Sequence, residues 1–208
     1  MAGKGPALAP RSSTFPRMAN LVGIAGSLRK GSLNAALLRA AAALAPAGTV
    51  VDVASIAGIP VYDGDVDRDA FPEAVVALGA RIAAADGLLL VTPEYNNSIP
   101  GGLKNAIDWL SRPVPATRQA KNHVPRPFSE KPVAILGASI GPGGTRLAQA
   151  AWLPVFRMLG ARLWSGKVLY LASATQAFDA EGKLVDEKAR KTLEELMAGF
   201  AAFAKPGA

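Results

Sequence analysis

The 208-residue chain contains no cysteine. That excludes disulfide frameworks, thiolate nucleophiles, cysteine-based zinc sites and iron–sulfur clusters. It contains a single histidine, His123, which excludes multi-histidine metal sites. Aromatic residues make up only 6% of the chain, and nucleic-acid binders usually set aromatic stacking residues on a basic surface. No apolar run reaches the roughly 18 residues that a membrane span needs. The N-terminal stretch carries Pro6, Pro10 and Pro16 and has no apolar core region, so it does not read as a secretory signal. Those prolines also prevent the basic amphipathic helix of an organellar transit peptide. A cytoplasmic, reducing location is the expectation.

What is present is a globular composition, 50% hydrophobic and 19% charged, in a length that suits one domain. The formal net charge is +7. Residues 1–19 hold Lys4, Arg11 and Arg17 without an acid. Residues 112–131 hold Arg112, Arg118, Lys121, Arg126 and Lys131 against Glu130. These two segments account for the whole excess, and the remainder is neutral. The basic character therefore belongs to a disordered leader and a polar, proline-containing loop insert. It does not form a basic face on the fold, so nucleic acid is not an expected partner.

Apolar strand-like runs alternate with runs of helical period. Strands are expected at 20–26, 49–54, 86–92, 132–139 and 161–171, and helices at 33–45, 71–85, 100–111, 144–160 and 183–204. Pro154 should kink the fourth helix. The last helix carries a core stripe of Ala189, Leu193, Leu196, Met197, Phe200 and Phe203. Alternating βα units with nearly continuous apolar strands imply an α/β sandwich with a mostly parallel sheet covered on both faces. Residues 20–208 then form one domain.

In such sheets ligands sit beyond the carboxyl ends of the strands, at the switch point. Three unusual segments fall there: 26–34, 93–105 and 137–146. The first, GSLRKGSLN, offers hydroxyls at Ser27 and Ser32, a guanidinium at Arg29, the backbone at Leu33, an amide at Asn34 and a helix N-terminus. Those groups suit a terminal phosphate. It is not a Walker A loop, because Ser32 stands where the lysine must be, and G-x-G-x-x-G is absent. A mononucleotide is favoured over a dinucleotide, and an ordinary capped turn is the alternative.

The second segment, PEYNNSIPGGLKNAIDWL, begins after the central strand. Pro93 and Pro100 stiffen it, and Tyr95, Asn96 and Asn97 can present polar groups to a flat heterocycle. The third, GASIGPGG, contains G-x-S-x-G between a strand and a helix. A hydrolase triad needs a histidine after the serine, and His123 precedes Ser139. His123 itself reads as a solvated loop residue. Asp63, Asp65, Asp67 and Asp69 begin like a calcium-binding loop, but Arg68 replaces the required glycine and Ala74 the terminal glutamate. The run reads as a solvated turn.

Taken together, GSLRKGSLN and PEYNNSIPGGLKNAIDWLSR strongly resemble the NADPH-dependent FMN reductases, the flavodoxin-like group that includes quinone, chromate and azo-dye reductases. The resemblance covers residues 20–171, including IPVYDGD at 59–65, and leaves out the leader and the insert. It implies a flavodoxin-like three-layer sandwich with a five-stranded parallel sheet of order 2-1-3-4-5 and a tightly held FMN. By motif position, Ser27, Arg29, Ser32, Leu33 and Asn34 would hold the phosphate. Pro93, Glu94, Tyr95 and Asn96 would line the ring, with Ser139, Gly141 and Gly144 along its edge. Asn97, Ser98 and Arg146 would serve substrate or subunit contacts. The family implies homodimers or homotetramers with flavin sites near the interface. It also implies ping-pong electron transfer from NADPH or NADH to a small acceptor: a quinone, chromate, an azo compound or free flavin. No side-chain acid, base or nucleophile is required. A flavodoxin-type electron carrier and a non-catalytic FMN-binding protein are the competing readings.

Overall fold

The structure is a computed structural model, and it describes residues 19–69, 71–112 and 127–205. The strands are β1 (Ala19–Ala25), β2 (Thr49–Ala54), β3 (Gly87–Val91), β4 (Pro132–Ala138), β5 (Arg162–Leu163) and β6 (Tyr170–Leu171). The helices are α1 (Leu33–Ala43), α2 (Gly64–Asp69), α3 (Glu73–Ala84), α4 (Gly101–Leu110), α5 (Arg146–Met158) and α6 (Glu187–Ala204). All pairings are parallel, in the order β2-β1-β3-β4-β5, with β6 also on β4. This is the 2-1-3-4-5 sheet that the family resemblance implies.

Side chains alternate between the two faces of a strand, and this sheet is covered on both. Leu89 and Val91 of β3 join Leu21, Ala134 and Leu136 in a core roofed by α1 and α6. Leu88 and Leu90 join Val22, Ile24 and Val133 in a second core roofed by α3, α4 and α5. β3 lies in the middle of the order, and its five residues are all buried. The expected stripe of α6 is confirmed in Ala189, Leu193, Leu196, Met197 and Phe200, with Phe203 partly buried.

Four expectations need correction. The leader boundary shifts by one residue, because Ala19 already pairs with Thr49. The fifth strand is not continuous: β5 and β6 each pair with two residues of β4, and Trp164, just after β5, packs on Phe200 of α6. The last helix starts at Glu187, where Asp186 caps it, because residues 178–184 form a turn closed by a Phe178–Leu184 bridge. The acidic run is solvated only in part: Asp63 and Asp65 are exposed, as expected. It forms the short helix α2, and Asp67 is buried, accepting hydrogen bonds from the Tyr62 hydroxyl (3.1 Å) and Arg112 Nε (3.0 Å).

Pro154 lies inside α5, and the helix continues across it. Proline removes the N–H that would meet the Ala150 carbonyl, but both residues are exposed and water can serve that carbonyl. Of the insert, only its two ends fall among the described residues. Arg112 is tied to Asp67, and Phe128 is buried edge-on against Phe156. The rest of the insert, with His123, and the leader before Ala19 lie outside the described residues. Among the described residues no helix is long and apolar enough to cross a membrane.

Candidate functional site

The chain leaves β1 toward β2 on one side and returns to β3 on the other, which opens a crevice at the carboxyl ends of β1 and β3. There the structure has an open cleft of about 320 Å³. Ser27, Arg29, Ser32, Leu33 and Asn34 line it from the first loop, and Pro93, Glu94 and Tyr95 from the second. Ala138, Ser139 and Ile140 complete it beyond β4. The three segments singled out in the sequence therefore meet at one place. Close approach of the first two loops requires Gly26: a Cβ there would lie 2.6 Å from Leu103 Cδ2 and 2.8 Å from Pro93 Cδ.

Ser32 is the N-cap of α1, its Oγ accepting from the Ala35 amide at 3.1 Å. Its hydroxyl proton stays available to a ligand. The amides of Leu33 and Asn34 are the first two of the helix and have no intrahelical acceptor. Arg29 is exposed, with no ion pair or side-chain hydrogen bond among the described residues. A free guanidinium, two hydroxyls and open amides at the positive end of a helix make an anion cradle.

Asn34 has a second task. Its Nδ2 donates to the Ala138 carbonyl (2.8 Å) and its Oδ1 accepts from the Ala138 amide (2.9 Å), both buried. The side chain staples α1 to the end of β4. One Nδ2 hydrogen remains for a ligand. Glu94 is likewise committed: Oε2 accepts from the Leu147 and Ala148 amides at 2.8 and 2.9 Å. It caps α5 in place of Thr145, which makes no side-chain cap bond. Its charge suits that helix terminus.

Tyr95 and Ser98 exchange backbone hydrogen bonds of 3.2 and 3.0 Å, and Asn96 and Asn97 have φ of 50° and 59°. Two successive left-handed residues define a type I′ turn, where asparagine is favoured after glycine. The turn explains both asparagines and projects beyond the cleft wall. Asn96, Asn97, Ser98 and Arg146 are not among the lining residues. Nor are Gly141 and Gly144. These glycines shape the third loop from behind: Gly144 has φ of 66°, and a Cβ on it would lie 2.7 Å from the Tyr170 carbonyl oxygen. Arg146 stacks over the Tyr170 ring at 5.7 Å.

Two lining residues were not anticipated, Ala138 and Ile140. The strand-end rule already covered them, because they flank Ser139 directly after β4. A buried support also escaped the sequence reading. The Trp152 indole N–H donates to Thr92 Oγ1 (3.1 Å), and the Thr92 hydroxyl donates to the Pro93 carbonyl (2.8 Å). This chain sets the second loop on α5.

The residues present fit FMN. The cradle matches a terminal phosphate, and the walls at Pro93–Tyr95 and Ala138–Ile140 leave room for a planar group. Fold and cleft together define a flavodoxin-like mononucleotide-binding protein. The chain belongs to the NADPH-dependent FMN reductase family, whose sequence profile matches residues 19–176. It is 45% identical over 175 residues to an NAD(P)H-dependent FMN reductase of Pseudomonas aeruginosa, covering 84% of this chain and 89% of the other. It is 41% identical over 182 residues to a 2-hydroxy-1,4-benzoquinone reductase of a Burkholderia species, covering 88% and 94%. Among solved structures it resembles FerB, a flavoenzyme NAD(P)H:(acceptor) oxidoreductase of Paracoccus denitrificans. There the TM-score is 0.77 at 35% identity, over 90% of this chain and 97% of that one. Family membership makes the protein an oxidoreductase that works with FMN and a reduced nicotinamide nucleotide.

Proposed function

We propose that the protein reduces small quinone-type acceptors with NADPH or NADH, donor and acceptor taking turns at one open mouth of the cleft. Bound FMN supplies the two-electron chemistry. The observation that carries the reading is the mixed lining of the cleft, which combines a polar anion cradle with exposed apolar side chains, Tyr95 at 51% and Ile140 at 71% exposure.

Each residue has a binding or positioning role. Arg29, Ser27, Ser32 and the amides of Leu33 and Asn34 hold the phosphate. Pro93, Glu94 and Tyr95 form the shelf under the ring, kept rigid by the Thr92–Trp152 chain and by the cap on α5. Ser139 and Ile140 would border the ring edge, where backbone N–H groups would favour the negative charge of reduced flavin. Tyr95 and Ile140 present apolar surface to a flat donor or acceptor. Asn97, Ser98 and Arg146 lie outside the lining and would contact substrate or a second subunit. The quinone-reducing relatives support the choice of acceptor class. A homodimer or homotetramer would cover the exposed Leu147, Leu153 and Met158 of α5. A cytoplasmic compartment would supply the nicotinamide donor.

The test is steady-state kinetics of the FMN-loaded protein with NADPH, NADH and a series of benzoquinones. Parallel double-reciprocal lines at several fixed quinone concentrations are expected. Intersecting lines would replace alternation by a ternary complex. Bleaching by NADPH without quinone turnover would leave a flavodoxin-type carrier.

A further inference from the structure

A second pocket of about 220 Å³ lies away from the flavin cleft, between α1, the turn before α6, and α6 itself. Its apolar floor comes from Ala40 and Leu44, both half-buried, and the buried Leu184. Arg39, Lys183 and Arg190 stand around it. Arg190 pairs with Glu194 at 3.2 Å, whereas Arg39 and Lys183 have no ion pair among the described residues.

The nearest acids are turned to other work. Asp179 Oδ1 accepts from the amides of Glu181 and Lys183, and Asp186 Oδ1 accepts from the Ala189 amide. Glu181 is exposed and outside the lining. The turn is further closed by bonds between Asp179 and Lys183 and between Gly182 and Asp179. Two cations without an ion pair among the described residues thus border the apolar cavity, Lys183 on the closed turn and Arg39 on α1. Residues 1–18 and 113–126 contain no aspartate or glutamate.

A solvated cation needs no cavity beneath it, and an apolar cavity alone does not gather cations. We infer that this pocket is a binding site for a small organic anion with a short hydrocarbon body. The charged head would pair with Arg39 and Lys183, and the body would lie on Ala40, Leu44 and Leu184. A carboxylate and a phosphate monoester share the required chemistry. The site is independent of the flavin cleft.

The test uses the FMN-loaded, deuterated and 15N-labelled full chain, titrated with hexanoate, hexyl phosphate, acetate and hexanol. Saturable amide shifts at Ala43, Leu44, Gly182 and Lys183 are expected with hexanoate or hexyl phosphate, the tighter of the two identifying the head group. Acetate lacks the body and hexanol the charge, so both should bind at least about tenfold more weakly. The double variant Arg39→Gln/Lys183→Gln should lose at least about tenfold in affinity while keeping its FMN spectrum. The proposal is overturned if neither anion gives saturable shifts there. It is equally overturned if hexanol binds as well, if the variant binds unchanged, or if the shifts fall instead on Ser27–Asn34.

Discussion

Asn34 and Ala138 exchange two buried hydrogen bonds across 104 positions of sequence, at 2.8 and 2.9 Å. The pair joins the first turn of the helix behind the anion cradle to the strand end that forms the opposite wall of the cleft. Asn34→Ala leaves the Ala138 amide and carbonyl buried without partners. A loss of about 2–4 kcal/mol is expected from urea unfolding of the apoprotein. FMN affinity should fall with it, because the cradle and the ring edge are no longer held in register. Asn34→Asp, which keeps the acceptor but sets a carboxylate against the Ala138 carbonyl, should not rescue stability.

Arg29 and Ser32 separate binding from folding. Arg29 is exposed and has no side-chain partner among the described residues, so Arg29→Ala should change stability by less than about 0.5 kcal/mol. Its loss of a charge-assisted contact should weaken FMN about 10- to 100-fold in fluorescence titrations. Ser32→Ala removes the α1 cap as well and should cost about 1 kcal/mol of stability. Unchanged FMN affinity in Arg29→Ala would reject the assigned cradle.

Glu94 caps α5 from 53 positions upstream. Removing the acceptor in Glu94→Ala should cost about 1 kcal/mol. Glu94→Gln keeps an acceptor oxygen but loses the charge at the helix terminus, so it should fall between wild type and Ala. Because the cap positions the shelf, the variants should raise KM for quinone more than they lower FMN occupancy. Stopped-flow and equilibrium measurements on the same preparations check this.

Asp52 and Arg81 join the edge strand β2 to α3 through two hydrogen bonds of 2.7 and 2.5 Å. The Arg81 hydrogen bond and its charge hold the Asp52 carboxyl below its ordinary value. A carboxyl depressed in the folded state stabilises above its unfolded pKa, and that contribution is lost as pH falls through the folded value. Wild type should therefore lose more stability between pH 7 and pH 3 than Asp52→Asn does. Both side chains are largely exposed, so the difference should stay below about 1 kcal/mol. Urea midpoints at the two pH values measure it.

The central strands β1, β3 and β4 were legible because each is an apolar run bounded by turn residues, as Gly87–Val91 shows, and a doubly covered sheet needs such runs. The residues of the cleft were legible as types: hydroxyls, a guanidinium and stiffened loops placed after strands. Their division of labour was not. Asn34 and Glu94 have the right chemistry for a ligand, yet each spends its side chain on a backbone partner far along the chain. Asp67 looked solvated because its neighbours are acidic, and Tyr62 and Arg112 bury it. The break between β5 and β6 follows the Ser165-Gly166-Lys167 step inside ARLWSGKVLYL, which a reading of the flanking apolar residues as one strand passes over, and only the folded chain shows Trp164 packing on Phe200 of α6.

Local order along the chain was thus sufficient for the fold class and the place of the cleft, while the identity of its ligand came from the resemblance of two motifs to a family. Periodicity, strand-end loops and capping residues are properties of short stretches, and a short stretch carries them wherever it is found. Which polar groups remain free for a ligand was decided only by the folded chain. A hydrogen bond consumes a donor or acceptor that the sequence shows as available, and its partner is chosen by packing across 53 or 104 positions.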